Sequence, residues 1–281
     1  MTHLTVPKTY KLYIGGKFPR SESGRTFEVV GASGAFVANA AKASRKDARD
    51  AVVAARAAQP GWAGATGYNR GQVLYRIAEL LEGRRAQFVD EITSVDGVPA
   101  SAANAQVDAA IDTWVWYAGW ADKYVQVAGN ANAVSGPYFN ISVPEPTGVV
   151  AIVAPDDALV GLVGVVAPAI VSGNTVVVIA SETSPLSAIS LAEVLATSDV
   201  PGGVVNILTG SAAEIAPWLA SHADVNALDL TGAESLDWVD LQVSAADTLK
   251  RVRTPGDAGP SLDRIVAFTE TKTVWHTKSL I

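Results

Sequence analysis

Cysteine is absent from all 281 residues, which excludes a disulfide framework, a thiolate metal site and a thiol nucleophile. Histidine is nearly as scarce. His3, His222 and His276 lie far apart and in no metal-ligand spacing, so neither a zinc centre nor a histidine-centred triad is expected. Long hydrophobic runs are missing too: Ala158–Val171, the most apolar stretch, falls short of the about 20 residues of a spanning helix and is interrupted by glycine and proline. The start of the chain has no apolar core of an export signal, and with no disulfide possible a cytoplasmic location is the expectation. Basic clusters are lacking as well. With 21 Lys and Arg against 28 Asp and Glu the formal charge is −7, which argues against nucleic acid or an anionic membrane as partner.

What the chain does have is a core, since 49% of its residues are hydrophobic. Four runs, Val149–Ala154, Thr175–Ile179, Val204–Leu208 and Val225–Leu230, are rich in Val and Ile and bounded by Gly, Asn, Pro or Asp. They read as buried strands. Helical stretches separate them at roughly 25-residue spacing, which implies right-handed parallel crossovers. The expected class is therefore α/β, a doubly wound Rossmann-like parallel sheet, with N-terminal helices packed on it.

Upstream, Val6–Phe18 and Thr26–Val30 read as edge strands, with a turn at Gly15–Gly16. Apolar spacing predicts helices over Arg45–Gln59, Asn69–Ser94 and Ala102–Tyr124. The aromatic set Trp114, Trp116, Tyr117 and Trp120 could form a stacking platform, but on a core-facing helix packing is the expected role. Arg84, Arg85, Asp90 and Glu91 read as solvated helix charges.

The runs PEPTGVVAIVAPDDALV, APAIVSGNTVVVIASETSPLSA, VPGGVVNILTG and ALDLTGA closely resemble the cofactor-binding domain of the aldehyde dehydrogenase superfamily. YKLYIGGKF and the helices through Trp120 resemble that family's N-terminal part, while LKRV and FTETKTVWH resemble pieces before its catalytic domain and from its C-terminal tail. The resemblance is colinear and covers nearly the whole chain. In a full family member a catalytic domain lies between the last two pieces, whereas here only Arg253–Ala267 does.

That resemblance implies an oxidation in which a cysteine thiolate attacks the aldehyde and the thiohemiacetal passes hydride to nicotinamide; this chain has no such thiol. The family's general-base Glu falls near Thr254–Gly256, where no carboxylate stands, and the nearby Asp257 reads as a turn residue. The family's Pro-Trp-Asn turn, whose amide supports the oxyanion, is matched by Pro155, Asp156 and Asp157. Carboxylates there oppose an interaction worth about 3–4 kcal/mol per donor. Adjacent aspartates at such a turn read as N-caps, or with Glu182 as an acid–base set. Ile179 replaces the ribose-binding Lys, and Glu182 matches the second ribose-binding residue. The phosphate-side turns become Gly210-Ser211-Ala212 and Thr231-Gly232-Ala233. Glu182, Gly210, Thr231 and Gly232 thus form a degenerate cofactor site: no cofactor is expected, or NAD held weakly at helix N-termini. The glycines also serve strand ends and close packing.

Two segments carry the rest. Gly136–Pro144 alternates bulky and polar residues, and Phe268–His276 resembles the family's tail strand; together they imply the small β bridging arm that reaches across a family dimer to the partner's catalytic domain. A homodimer of this chain would leave both arms without that receiver. The expected organisation is 1–135 as N-terminal strands and helices, 136–147 as arm strand, 148–253 as Rossmann-like sheet, 254–267 as a linker in place of the catalytic domain, and 268–281 as tail. The function implied is a catalytically inactive subunit that pairs with a full-length aldehyde dehydrogenase through the arm. The alternatives are an NAD-binding subunit aiding aldehyde oxidation in trans, or a homo-oligomeric nucleotide-sensing scaffold.

Overall fold

A computed structural model describes residues 8–278, so His3 lies outside the described part. The chain opens with β1 (Thr9–Tyr10), β2 (Thr26–Val30) and β3 (Phe36–Ala41). Helices follow: α1 (Arg45–Gly64), α2 (Gly67–Gly83), α3 (Arg85–Asp96), α4 (Ala100–Trp120) and α5 (Tyr124–Ala128). β4 (Asn130–Asn132) and β5 (Tyr138–Pro146) lead into β6 (Val149–Val153), α6 (Val160–Val171), β7 (Thr175–Ile179), α7 (Leu186–Leu195) and β8 (Val205–Leu208). α8 (Ala212–Ser221), β9 (Ala227–Asp229), α9 (Trp238–Ala246), β10 (Arg251–Arg253), α10 (Leu262–Val266) and β11 (Thr269–Thr277) complete it.

The central sheet has the order β10-β9-β6-β7-β8, and all its pairs are parallel. Its inner strands β6 and β7 are almost wholly apolar because both faces are covered. Val149, Ala151, Val153, Val177 and Ile179 pack with Ala51 and Val52 of α1, Ile215 and Leu219 of α8 and Leu241 of α9. Val150, Ile152, Val176 and Val178 pack with α6, α7 and, behind them, the aromatic side of α4. Each fully buried Val or Ile contributes about 1.5–3 kcal/mol, so a run such as Thr175–Ile179 has no competing exposed state. The four strand expectations are met within two residues at each end.

Of the expected strand Val6–Phe18, Val6 and Pro7 lie outside the described residues, and the rest is not one continuous strand. Gly15 and Gly16 do turn the chain, at φ +60° and +78°, with Ile14 bridged to Lys17. Before the turn, Leu12 N–H donates to the Pro19 carbonyl and Tyr13 pairs antiparallel with Ile207, so the segment leaves its own sheet to cover the edge of β8. That crossing limits β1 to two residues and protects the edge.

α1 begins at a capping box between Ser44 and Asp47 and runs past Gln59 through Pro60. Its last turn is held by Trp62, whose Nε1–H donates to the Ile170 carbonyl at 2.8 Å. The single helix expected over Asn69–Ser94 is two, broken at Arg84 (φ −112°, ψ 12°). The Arg84 guanidinium bonds Gln87 and Glu193, and the bend lets Phe88 and Ile92 enter the core beside Leu81.

Glu91 corrects a second expectation. It is no solvated charge: it is only 8% exposed and accepts from Tyr10 Oη, Ser190 Oγ and Gln87 Nε2 at 2.8, 2.6 and 3.1 Å. Two of these partners are distant in sequence, which is why helix periodicity alone misplaces it. On α4, Trp114 and Tyr117 are buried and Trp116 stacks edge-on against Tyr117, so the aromatic set is packing.

Gly136–Pro144 and Phe268–His276 fold together. β11 pairs with β5 antiparallel over nine residues, and β4 pairs on the other side of β5, giving a three-stranded arm in the order β11-β5-β4.

Candidate functional site

In an open parallel sheet the ligand crevice lies at the carboxyl ends of the strands, where neighbouring crossovers part. Here those ends are Ala154–Asp157 after β6, Ala180–Glu182 after β7, Thr209–Ser211 after β8 and Leu230–Gly232 after β9. The order of the sheet puts the switch between β6 and β9.

At the switch the two turns touch. Gly232 N–H donates to the Val153 carbonyl at 3.0 Å, and a Cβ on Gly232 would lie 2.1 Å from the Ala154 oxygen and 2.4 Å from Pro155 N. Gly232 is therefore glycine because two backbones meet there. Thr231 is drawn inward instead of toward a ligand. Its N–H and Oγ1 both donate to the Asp229 carboxylate.

The helix N-termini already face carboxylates of the chain itself. Asp157 Oδ1 accepts from Gly161 N–H at 2.6 Å in the first turn of α6; the N-cap position expected for an aspartate of the pair is held instead by Leu159, two residues on. Asp156 accepts from Ser181 Oγ at 3.2 Å. Glu182 Oε1 accepts from Ala212 N–H at 2.5 Å, at the start of α8. Gly210 holds φ +123° in the turn before that helix, with Lys42 against it and the Lys42 ammonium 2.8 Å from Glu214. Of the candidate residues, Glu182 and Gly210 thus share one corner of the strand ends, while Thr231 and Gly232 share the other. Ile179 is buried in the core and offers no polar atom.

Beneath the corner of α8, among Val153, Ile179, Ala216 and Leu230, the free space is about 10 Å³, room for about one water and far too little for a nucleotide. A groove of about 640 Å³ lies elsewhere, between α2 and α4, and is lined by Tyr68, Tyr75, Arg76 and Lys123 with none of the strand-end residues. Among the described residues no group of His, Asp and Glu is placed to hold a metal ion. No described helix is long and apolar enough to cross a membrane.

Burial pushes the Asp157 carboxyl above its ordinary range; the Gly161 and Leu159 amides pull it back, and Asp96 and Asp156 add to the rise. The native state then holds its proton more tightly than the unfolded chain, so this group's contribution to stability falls as pH rises from about 4 through the native value. Asp157→Asn keeps the accepting oxygen and removes the charge. It is expected to raise the melting temperature near neutral pH, with an advantage that shrinks towards about pH 4. Thermal melts across that range check this, and a pH-independent difference would assign the effect to something other than the carboxyl.

Sequence reading overlooked Asp229 and Arg264. Arg264 sits on α10, in the 254–267 segment, and its Nη2 reaches Asp229 Oδ2 at 3.0 Å with both side chains essentially inaccessible. Nε donates to the Gly164 carbonyl and Nη1 to the Asp257 carbonyl. Asp257 in turn accepts from Gly259 N–H, a turn role as expected. A lone Asp at the end of the otherwise apolar ALDL run was the available signal.

A profile described as the aldehyde dehydrogenase family matches residues 18–254. Cytosolic aldehyde dehydrogenase 1 of Elephantulus edwardii is 33% identical over 258 residues, covering 90% of this chain and 51% of that protein. D-glyceraldehyde dehydrogenase (NADP(+)) of Thermoplasma acidophilum is 31% identical over 252 residues, with coverages of 89% and 51%. Among solved structures, HpcC from Thermus thermophilus superposes with a TM-score of 0.83 at 31% identity, over 88% of this chain and 48% of that one. The NAD+ complex of aldehyde dehydrogenase from Bacillus cereus gives 0.80 at 27% identity, with coverages of 87% and 50%. The chain spans about half the length of these relatives. With colinear strands, the same sheet and a family match over most of its residues, this chain belongs to the aldehyde dehydrogenase family.

Proposed function

We propose that this chain is a non-catalytic member of the family that acts as a subunit, associating with a full-length aldehyde dehydrogenase through its three-stranded arm. The observation that carries the reading is the absence of any cysteine in a chain that keeps the family's sheet and arm. Without a thiolate no thiohemiacetal forms on this chain, and hydride has no donor. Partnership is supported by the arm, whose Phe139, Ile141 and Trp275 are 56%, 42% and 58% exposed and call for a cover.

The strand ends support weak cofactor affinity. A dinucleotide phosphate at α8 would have to displace Glu182 from Ala212, at α6 it would meet Asp157, and the β6–β9 switch is closed by Gly232. An NAD dissociation constant above about 1 mM is expected.

The test has two arms. Purified protein incubated with NAD+ or NADP+ and aliphatic, aromatic or hydroxy-aldehydes is expected to form no NADH or NADPH above a protein-free control, and sustained turnover overturns the non-catalytic reading. Affinity purification from native extract is expected to bring down a full-length family member. Recovery of the chain alone removes the subunit reading.

A further inference from the structure

β11 is bonded to β5 on one side, and among the described residues no strand lies on its other side. The bonds that flank the ladder, Thr147 N–H to the Phe268 carbonyl and Lys278 N–H to the Pro137 carbonyl, fix its phase. In an antiparallel pair alternate residues exchange both backbone bonds with the partner, so the even-numbered residues of β11 are bonded to β5. Thr269, Thr271, Thr273, Trp275 and Thr277 therefore turn their N–H and C=O groups outward. Neither proline nor bulge blunts this edge: β11 contains no proline, its register with β5 runs unbroken over nine residues, and Glu270–Thr273 and Trp275–Thr277 are exposed.

We propose that two copies of this chain pair through the outer edges of β11, antiparallel about a two-fold axis at Thr273, joining their arms into one continuous sheet. The sequence of the strand selects this register. Centred on Thr273, the full length of β11 overlaps: Thr273 faces its own copy, Thr271 faces the second copy's Trp275, and Glu270 faces the second copy's His276. Threonine pairs, aromatic with β-branched pairs, and a carboxylate opposite an imidazole are cross-strand combinations that stabilise a sheet. Shifting the axis to Lys272 sets that lysine against itself, and shifting it to Val274 sets Lys272 against His276. Both shifts also shorten the overlap. The charges carried in are already matched within each chain, Glu270 with Arg251 at 2.6 Å and Lys272 with Glu145 at 3.2 Å. The receiving edge that a homodimer lacks if arms dock only on catalytic domains is thus supplied by the second arm.

This pairing goes beyond the subunit reading and is what the same edge does when no full-length partner occupies it: that reading is tested by what co-elutes, this one by the mass of the purified chain. Analytical ultracentrifugation of the full chain at micromolar concentration is expected to give the mass of two chains. Thr273→Pro removes an outward N–H and no backbone bond to β5, giving up within the arm only the hydroxyl bond to Ser142, so it is expected to weaken dimerisation by at least about tenfold while the fold, followed by circular dichroism, persists. Thr273→Cys places the chain's only thiol on the axis, where hydrogen-bonded partners stand about 5.5 Å apart, within disulfide reach. Mild oxidation is expected to convert it to a covalent dimer. A single-chain mass for the wild type, an undiminished dimer for Thr273→Pro, or a Thr273→Cys chain that does not cross-link overturns the proposal.

Discussion

Arg264→Ala is expected to remove about 3–5 kcal/mol of stability, the cost of leaving a buried charge without its partner. The guanidinium is 1% exposed and the Asp229 carboxylate 0%, so water cannot replace the lost pairing. Four acceptors lose their donor at once: Asp229 Oδ2, Thr231 Oγ1 and the carbonyls of Gly164 and Asp257. Burial pushes the Asp229 carboxyl up and the Arg264 guanidinium down, and each is opposed by the charge of the other. With Arg264 gone Asp229 loses the strongest influence opposing its burial and keeps only the Thr231 hydroxyl and N–H and the charge of Arg253. Against a typical total of about 5–15 kcal/mol, such a loss leaves a marginal fold. The double variant Asp229→Asn with Arg264→Met carries no buried charge and keeps an acceptor for Thr231, so it is expected to recover most of the loss. Chemical denaturation of the three proteins checks this, and an Arg264→Ala chain within about 1 kcal/mol of wild type would show that the segment is only draped over the sheet.

The pairing also changes what the 254–267 segment is. Where the family resemblance implies a mere linker, α10 packs on α6, and a Cβ on Gly164 would lie 2.3 Å from the Ala258 oxygen. The segment is a fitted cover for that helix. Its partners come from residues 164 and 229, and nothing in the local run GDAGPSLDRIVA announces them. The central sheet was legible for the opposite reason. Burial on both faces leaves only Val, Ile, Leu and Ala as competent side chains at most strand positions, so the strands declare themselves one residue at a time. The Gly15–Gly16 turn declares itself through two positive φ angles.

The site was legible as residues and illegible as contacts. Glu182, Gly210, Thr231 and Gly232 all lie at strand ends, as their positions after apolar runs imply. Nothing local shows that Glu182 reaches the amide of Ala212, thirty residues on, or that Gly232 is pressed against Ala154. The bend at Arg84 belongs to the same class. The ion pair that holds it runs to Glu193, on another helix.

Removing the arm's last strand is expected to produce the largest functional change. Deletion of residues 269–281 takes away β11 and with it the outward backbone edge, the indole of Trp275 and the cover of one side of β5. The sheet β10-β9-β6-β7-β8 makes no strand pair with β11, and its two hydrophobic faces draw nothing from the described residues beyond Phe268, so the α/β core is expected to stay folded. Co-purification with a full-length aldehyde dehydrogenase is expected to disappear. Trp275→Ala is the finer probe. Trp275 is 58% exposed and rests edge-on against Tyr138 with ring centroids 5.8 Å apart, so the free arm loses one contact in this variant and keeps its ladder. If the indole is an interface anchor, truncation costs roughly 2–4 kcal/mol of binding, a loss of about thirtyfold to a thousandfold in affinity. Thr273→Pro separates backbone from side chain, because it spoils the outer edge and leaves Trp275 in place. Loss of the partner with all three variants, each retaining its circular dichroism and a cooperative melt, identifies the arm as the docking element. Undiminished co-elution of the deletion variant places the contact elsewhere on the molecule and removes the arm from the functional account.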